Sequence, residues 1–128
     1  MHKPPDSLQN IRIVKMIYIP DTPALHIAKT IQHQIVAQSP TALMSYGAYD
    51  FVALNENDKR HGGFQFRCRG LKHTGLVMIN LMFNDTYTIE TVKIRKGEVK
   101  VCDSYDDVYA DQLIEVLDHM VEGRQYER

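Results

Sequence analysis

GFQFRCRGLKHTGLVMINLMFNDTYTIETVKIR, residues 63–95, decides the fold. Phe64, Phe66 and Cys68 alternate with Gln65, Arg67 and Arg69. Period two places an apolar and a charged side on opposite faces of a strand. Leu76 to Phe83 is apolar on both faces, with Asn80 its only polar residue. A run this short suits a central strand covered on both sides. Asn84-Asp85 breaks it with side chains that turn the backbone. Thr86 to Arg95 is rich in β-branched residues and reads as the next strand. Its apolar set is Tyr87 and Ile89, then Val92 and Ile94, so the phase slips by one residue. The slip predicts a bulge near Glu90-Thr91. Lys96-Gly97 forms a tight turn, and Glu98 to Cys102 returns with Val99 and Val101 on one face.

Outward from this meander, Tyr49 to Leu54 reads as an earlier strand, with Gly47 marking the turn before it and Asn55 to Asp58 an exposed turn after it. Pro20-Asp21-Thr22-Pro23 starts a helix: Asp21 or Thr22 can accept from free N–H groups, and Pro23 suits the first turn. Ala24, Ile27, Ala28, Ile31 and Ile35 form its apolar stripe, and Ser39-Pro40 ends it. Ser104 to Asp107 is expected to cap a second helix. That helix carries Ala110, Leu113, Ile114, Leu117 and Val121, with Gly123 as its C-cap. Ile11 to Ile19 suits an edge strand interrupted by Lys15. Met16 is an alternative start.

The expected fold class is α+β: an antiparallel four- to five-stranded meander sheet with two flanking helices, in the order (β)-α-β-β-β-β-β-α. Residues 1–10 are expected to be a flexible arm and 11–128 one domain. If both helices lie on the same side, Leu76, Met78 and Met82 are left as a dimer surface.

Composition narrows the function classes. The formal net charge of -1 gives no global pull toward nucleic acid or an anionic membrane. Two cysteines and no signal-like start fit a cytoplasmic protein without a disulfide framework. No apolar run approaches a membrane span. No P-loop, dinucleotide glycine pattern, nucleophile elbow, CxxC or HExxH is present, so neither a catalytic residue nor a metal or cofactor site is expected.

Three constellations remain. Lys59, Arg60, Arg67, Arg69 and Lys72 form a basic stretch that could meet nucleic-acid phosphates. RHGGFQFR, residues 60–67, loosely echoes an RNA-recognition strand. Its phenylalanines and arginines fall on opposite faces, so a solvated strand over a phenylalanine core is the plainer account. Asp103, Asp106, Asp107, Asp111, Glu115, Asp118 and Glu122 follow one another without an intervening Lys or Arg. The first four could gather around a divalent ion, but stabilisation of a helix N-terminus needs no added partner. Asp107, Asp111, Glu115, Asp118 and Glu122 could instead present an acidic, phosphate-mimicking face to a basic protein. Asp85-Thr86-Tyr87 groups a carboxylate, a hydroxyl and a phenol, which turn chemistry explains. Cys68 reads as core and Cys102 as more exposed.

Several motifs then align with a known pattern. They are Ala42-Leu43-Met44, Gly47-Ala48, Asp50-Phe51-Val52, Phe64-Gln65-Phe66-Arg67, Ile79-Asn80-Leu81, Asp85-Thr86-Tyr87, Lys93-Ile94-Arg95, and Val108 to Leu113. As a set they resemble an uncharacterised family of small proteins encoded by phages, prophages and integrative elements. The chain departs from that pattern in its longer N-terminus, in the segment around Pro40 and in a shorter tail. The resemblance brings no activity, cofactor or catalytic residue. It implies a mobile-element setting, such as host takeover, replication or defence evasion. The expected function is a non-enzymatic accessory that binds a host or phage protein. DNA or RNA binding through the basic stretch is the alternative, and a small enzyme a third. Self-association as a homodimer through an edge strand or the second sheet face is also expected.

Overall fold

The computed structural model describes residues 10–12, as backbone, and 22–126. Most of the expected N-terminal arm and of the strand through Ile19 lies outside them. Asn10–Arg12 is a short strand, β1. After it come helix α1 (Pro23–Gln38) and a single turn α2 (Ala42–Ser45). Five strands follow: β2 (Tyr49–Leu54), β3 (Arg60–Arg69), β4 (Thr74–Met82), β5 (Tyr87–Arg95) and β6 (Glu98–Val108). A short 3-10 turn, helix α3 (Leu113–Leu117) and a π-turn complete residues 110–122. The strands form one antiparallel sheet in sequence order, β1 to β6.

The alternation expected from the sequence sets the faces. Ala53, Phe64, Ile79, Ile89 and Tyr105 stand opposite one another across five strands. This row belongs to the helix-covered face, where Phe64, Phe66 and Cys68 are buried against Leu25, Ala28, Ile31 and Ile35 of α1. Leu113, Val116, Leu117, Met120 and Val121 close the same core. Each large aliphatic side chain so buried stabilises the fold by roughly 1.5–3 kcal/mol. Arg67 and Arg69 fall on the opposite face, as expected. Thr22 caps α1, its Oγ1 accepting from Leu25 N at 3.1 Å.

Three expectations need correction. First, β4 is not covered by helices on both faces, because α1 and α3 join a single core on one side of the sheet. On the other face Leu76 and Val92 are nonetheless buried, while Met78 and Met82 are half-buried. Second, the bulge expected near Glu90-Thr91 is found at Thr91/Val92, but its extra residue is on β6, and the pairing of β5 with β4 runs unbroken from Leu76↔Val92 to Leu81↔Tyr87. The apolar slip is a change of face: Thr91 joins Ile89 toward the helices, and Val92 takes the open side. The irregularities lie on β6, opposite Thr91/Val92 and Tyr87/Ile89. Third, Ser104 to Asp107 is strand, not a helix cap. Tyr105 and Val108 pair with Ile89 and Tyr87, and the Thr88 hydroxyl donates to Asp106 at 3.0 Å. These contacts outweigh the local preference of Asp and Ser for helix starts. The helical segment starts after Tyr109, whose N–H is capped by the Gln112 side chain at 3.0 Å. It ends at left-handed Gly123, as expected.

Candidate macromolecule-binding surface

Strand β3 separates the basic stretch into two groups. Lys59 and Arg60 lie at its start, and Arg67, Arg69 and Lys72 at or just past its end. Ten residues of strand hold the groups roughly 30 Å apart. Arg60 serves the sheet. Its Nε donates to Asn55 O and its Nη1 to Asn80 Oδ1, both at 3.0 Å. The Asn80 amide in turn donates to Thr88 O and Glu90 Oε1 at 3.2 Å. Asn80, the polar interruption in an apolar strand, is thus a buried junction between three strands. Burial lowers the Arg60 pKa, an effect the Glu90 carboxylate opposes.

The far end of the sheet is different. Arg67 Nε donates to Asp50 Oδ2 at 3.2 Å, and the Arg69 guanidinium lies 4.9 Å over the Tyr49 ring. Both keep much of their surface in solvent. The end of β5 adds Lys93 and Arg95, which with Arg67, Leu76 and Ile94 line a shallow recess of about 330 Å³. The β5–β6 turn adds Lys96, and β6 adds Lys100 directly across from Lys93. Exposed aliphatic side chains share this end: Leu71 is 91% accessible, and Ile94, at 50%, faces Val99, at 67%. Backbone contacts pin the loop that carries Leu71 and Lys72. Lys72 N and His73 N both donate to Val121 O, and Leu71 N donates to Glu122 Oε2.

The acidic residues also divide. Asp107 occupies a left-handed position in the irregular part of β6. Asp111 and Glu115 are exposed on the C-terminal helical segment. Asp118 accepts from the Tyr46 hydroxyl at 2.5 Å and lies 3.9 Å from Arg124. Burial and this carboxylate drive the Tyr46 pKa far upward. Glu122 holds the Leu71 loop. Of the expected acidic face, Asp118 and Glu122 are therefore engaged within the protein.

Asp85-Thr86-Tyr87 resolves into a turn. Asp85 has a left-handed φ of 66°, Thr86 bonds Asn84 Oδ1, and the Tyr87 hydroxyl donates to Gln34 at 2.7 Å. Cys68 is buried, which pushes its thiol pKa up, and Cys102 is exposed. Among the described residues no three His, Cys, Asp or Glu side chains are placed to share a metal ion. No helix among them is long and apolar enough to cross a membrane.

Sequence reasoning missed Lys93, Arg95, Lys100 and Leu71 as members of the surface. The cations of residues 93–96 were visible as a run. Nothing local said that the β5–β6 hairpin ends beside the end of β3. No protein-family model, curated protein or solved structure matches the chain.

Proposed function

We propose that the protein is a non-enzymatic accessory of a phage or other mobile element, acting by binding a protein of the host or the element. One observation supports this most: exposed aliphatic side chains and cations meet at one end of the sheet. Ile94 lines the recess with Arg67, Lys93 and Arg95 and pairs with Val99, and the β3–β4 turn brings Leu71, Arg69 and Lys72 to the same end of the sheet. Surface cations alone are common, but apolar anchors ringed by charge are how protein interfaces are built. The partner surface would be acidic at its rim and apolar at its centre. Arg67, Arg69 and Lys72 thus move from the nucleic-acid reading to the protein one. Arg60 is left out because its guanidinium is engaged in the sheet.

The convergence of cations also favours a second reading, binding of DNA or RNA through their phosphates. Against it, single-stranded binding draws on open aromatic faces, and the aromatic ring at this end, Tyr49, carries Arg69. A comparison of two double variants separates the readings. Bait protein is used to capture host and element proteins, and the same protein is titrated into labelled DNA and RNA at several salt concentrations. Under the leading reading Leu71→Ser/Ile94→Ser abolishes capture of a specific protein, and nucleic-acid binding is weak throughout. Tight, salt-dependent nucleic-acid binding that Arg67→Ala/Arg69→Ala removes and Leu71→Ser/Ile94→Ser leaves intact would establish the second reading instead.

A further inference from the structure

We propose that the free edge of β6 joins two copies of this chain in a two-fold dimer. The inference goes beyond the partner surface described above and does not depend on it. β6 pairs with β5 on one side and, among the described residues, ends the sheet on the other. From Glu98 to Cys102 every residue on it is exposed. Lys93 and Lys100 face each other directly across β5 and β6. Like charges in that position repel, and an anionic group beyond the edge would relieve them.

The chain carries such a group itself. Thr91 pairs with Asp103 and Val92 with Val101, so β6 has one extra residue, Cys102, at that point. Thr91 and Lys93 share a face, and therefore so do their partners Asp103 and Lys100. In a regular strand residues three apart would point to opposite faces. The bulge makes β6 complementary to itself. In an antiparallel pairing of two β6 edges about the Val101–Cys102 step, Lys100 of each copy meets Asp103 of the other on the same face, and Val99 meets Ser104. The wider charge pattern agrees in balance: Arg95, Lys96 and Lys100 outnumber Glu98 before Cys102, and Asp103, Asp106 and Asp107 follow it. A two-fold axis superimposes each half on its opposite, as an isologous contact requires. The two sheets would continue through one another, and Arg67, Arg69 and Leu71 would stay uncovered.

Sedimentation velocity over a dilution series tests this with the full chain. The wild type is expected at twice the 14.8 kDa chain mass. Lys100→Asp and Asp103→Lys are each expected to weaken the dimer about tenfold or more, and their equimolar mixture to restore it as a heterodimer. Lys100→Asp also removes the repulsion from Lys93, so its loss of assembly cannot be assigned to loss of folding. Because Cys102 lies beside the axis, diamide should join two copies through it, and Cys102→Ser should prevent the link. A wild type that stays monomeric at every concentration overturns the proposal. So does a dimer that neither charge reversal affects.

Discussion

Gly70 is needed for space. A Cβ there would stand 2.3 Å from both Cγ1 and the carbonyl oxygen of Val121. Backbone cannot move aside as a flexible side chain can, so Gly70→Ala is expected to destabilise the fold by about 1–3 kcal/mol in urea denaturation. His73, three residues on, is buried with Nε2 donating to Leu76 O at 2.9 Å. Burial lowers its pKa below the ordinary 6.5, with Lys93 adding to the effect. The unfolded chain therefore takes up the proton first as pH falls. Stability attributable to neutral His73 is complete above about pH 6.5 and declines below it. His73→Gln should flatten that decline in melts recorded between pH 7 and pH 5. Neither role was legible in the sequence. Nothing local marks Gly70, because Val121 is 51 residues away along the chain. The period-two alternation of Phe64, Phe66 and Cys68 was legible because it is local, and each residue there reports its own face.

At the scale of elements, the ends of α1 and β2 could be read directly. Thr22 accepts from Leu25 N where its type and position predicted, and Thr22→Ala should lower stability by about 1 kcal/mol. The C-terminal segment resisted reading for two reasons. Ser104 to Asp107 has the composition of a helix start, but its neighbours across the sheet make it strand. The buried stripe is Leu113, Val116, Leu117, Met120 and Val121, a regular i, i+3, i+4, i+7, i+8 face, whereas Ala110 and Ile114 of the expected stripe are only half-buried. Both sets fit one helical period, and only the position of the sheet decides between them. The segment is tied to α2 by the Tyr46 hydroxyl on Asp118. Tyr46→Phe removes the donor and leaves a partly buried carboxylate, for an expected loss of about 1–3 kcal/mol by calorimetry or denaturant. Asp118→Asn, which keeps an acceptor, should cost less than Asp118→Ala.

For the molecule as a whole, the meander order was legible because every connection from β2 onward is short and joins adjacent strands. That order also puts the β3–β4 and β5–β6 turns at one end, but how far each reaches there depends on register, which the sequence did not show. The candidate surface reflects this: its β3 half was read from sequence, and its β5–β6 half came from the register. One core joins α1, α3 and the sheet, so cutting it anywhere should unfold all three together. Leu117→Ala, at a fully buried site, is expected to lose about 2–5 kcal/mol. The helical far-UV signal and the near-UV signal of the packed tyrosines should then disappear in a single coincident transition.

The length of β3 has one more consequence. Lys59 and Arg60 share one end of the strand with Glu56, Asp58, Asp85, Asp106 and Asp107, which leaves that end acidic. Arg67, Arg69, Lys72, Lys93 and Arg95 gather at the other, so a nearly neutral chain acquires an electric dipole moment along the strand. Such a molecule is oriented by a charged object before touching it, and near neutral pH it should be retained weakly on both cation- and anion-exchange resins, which its net charge alone would not foretell.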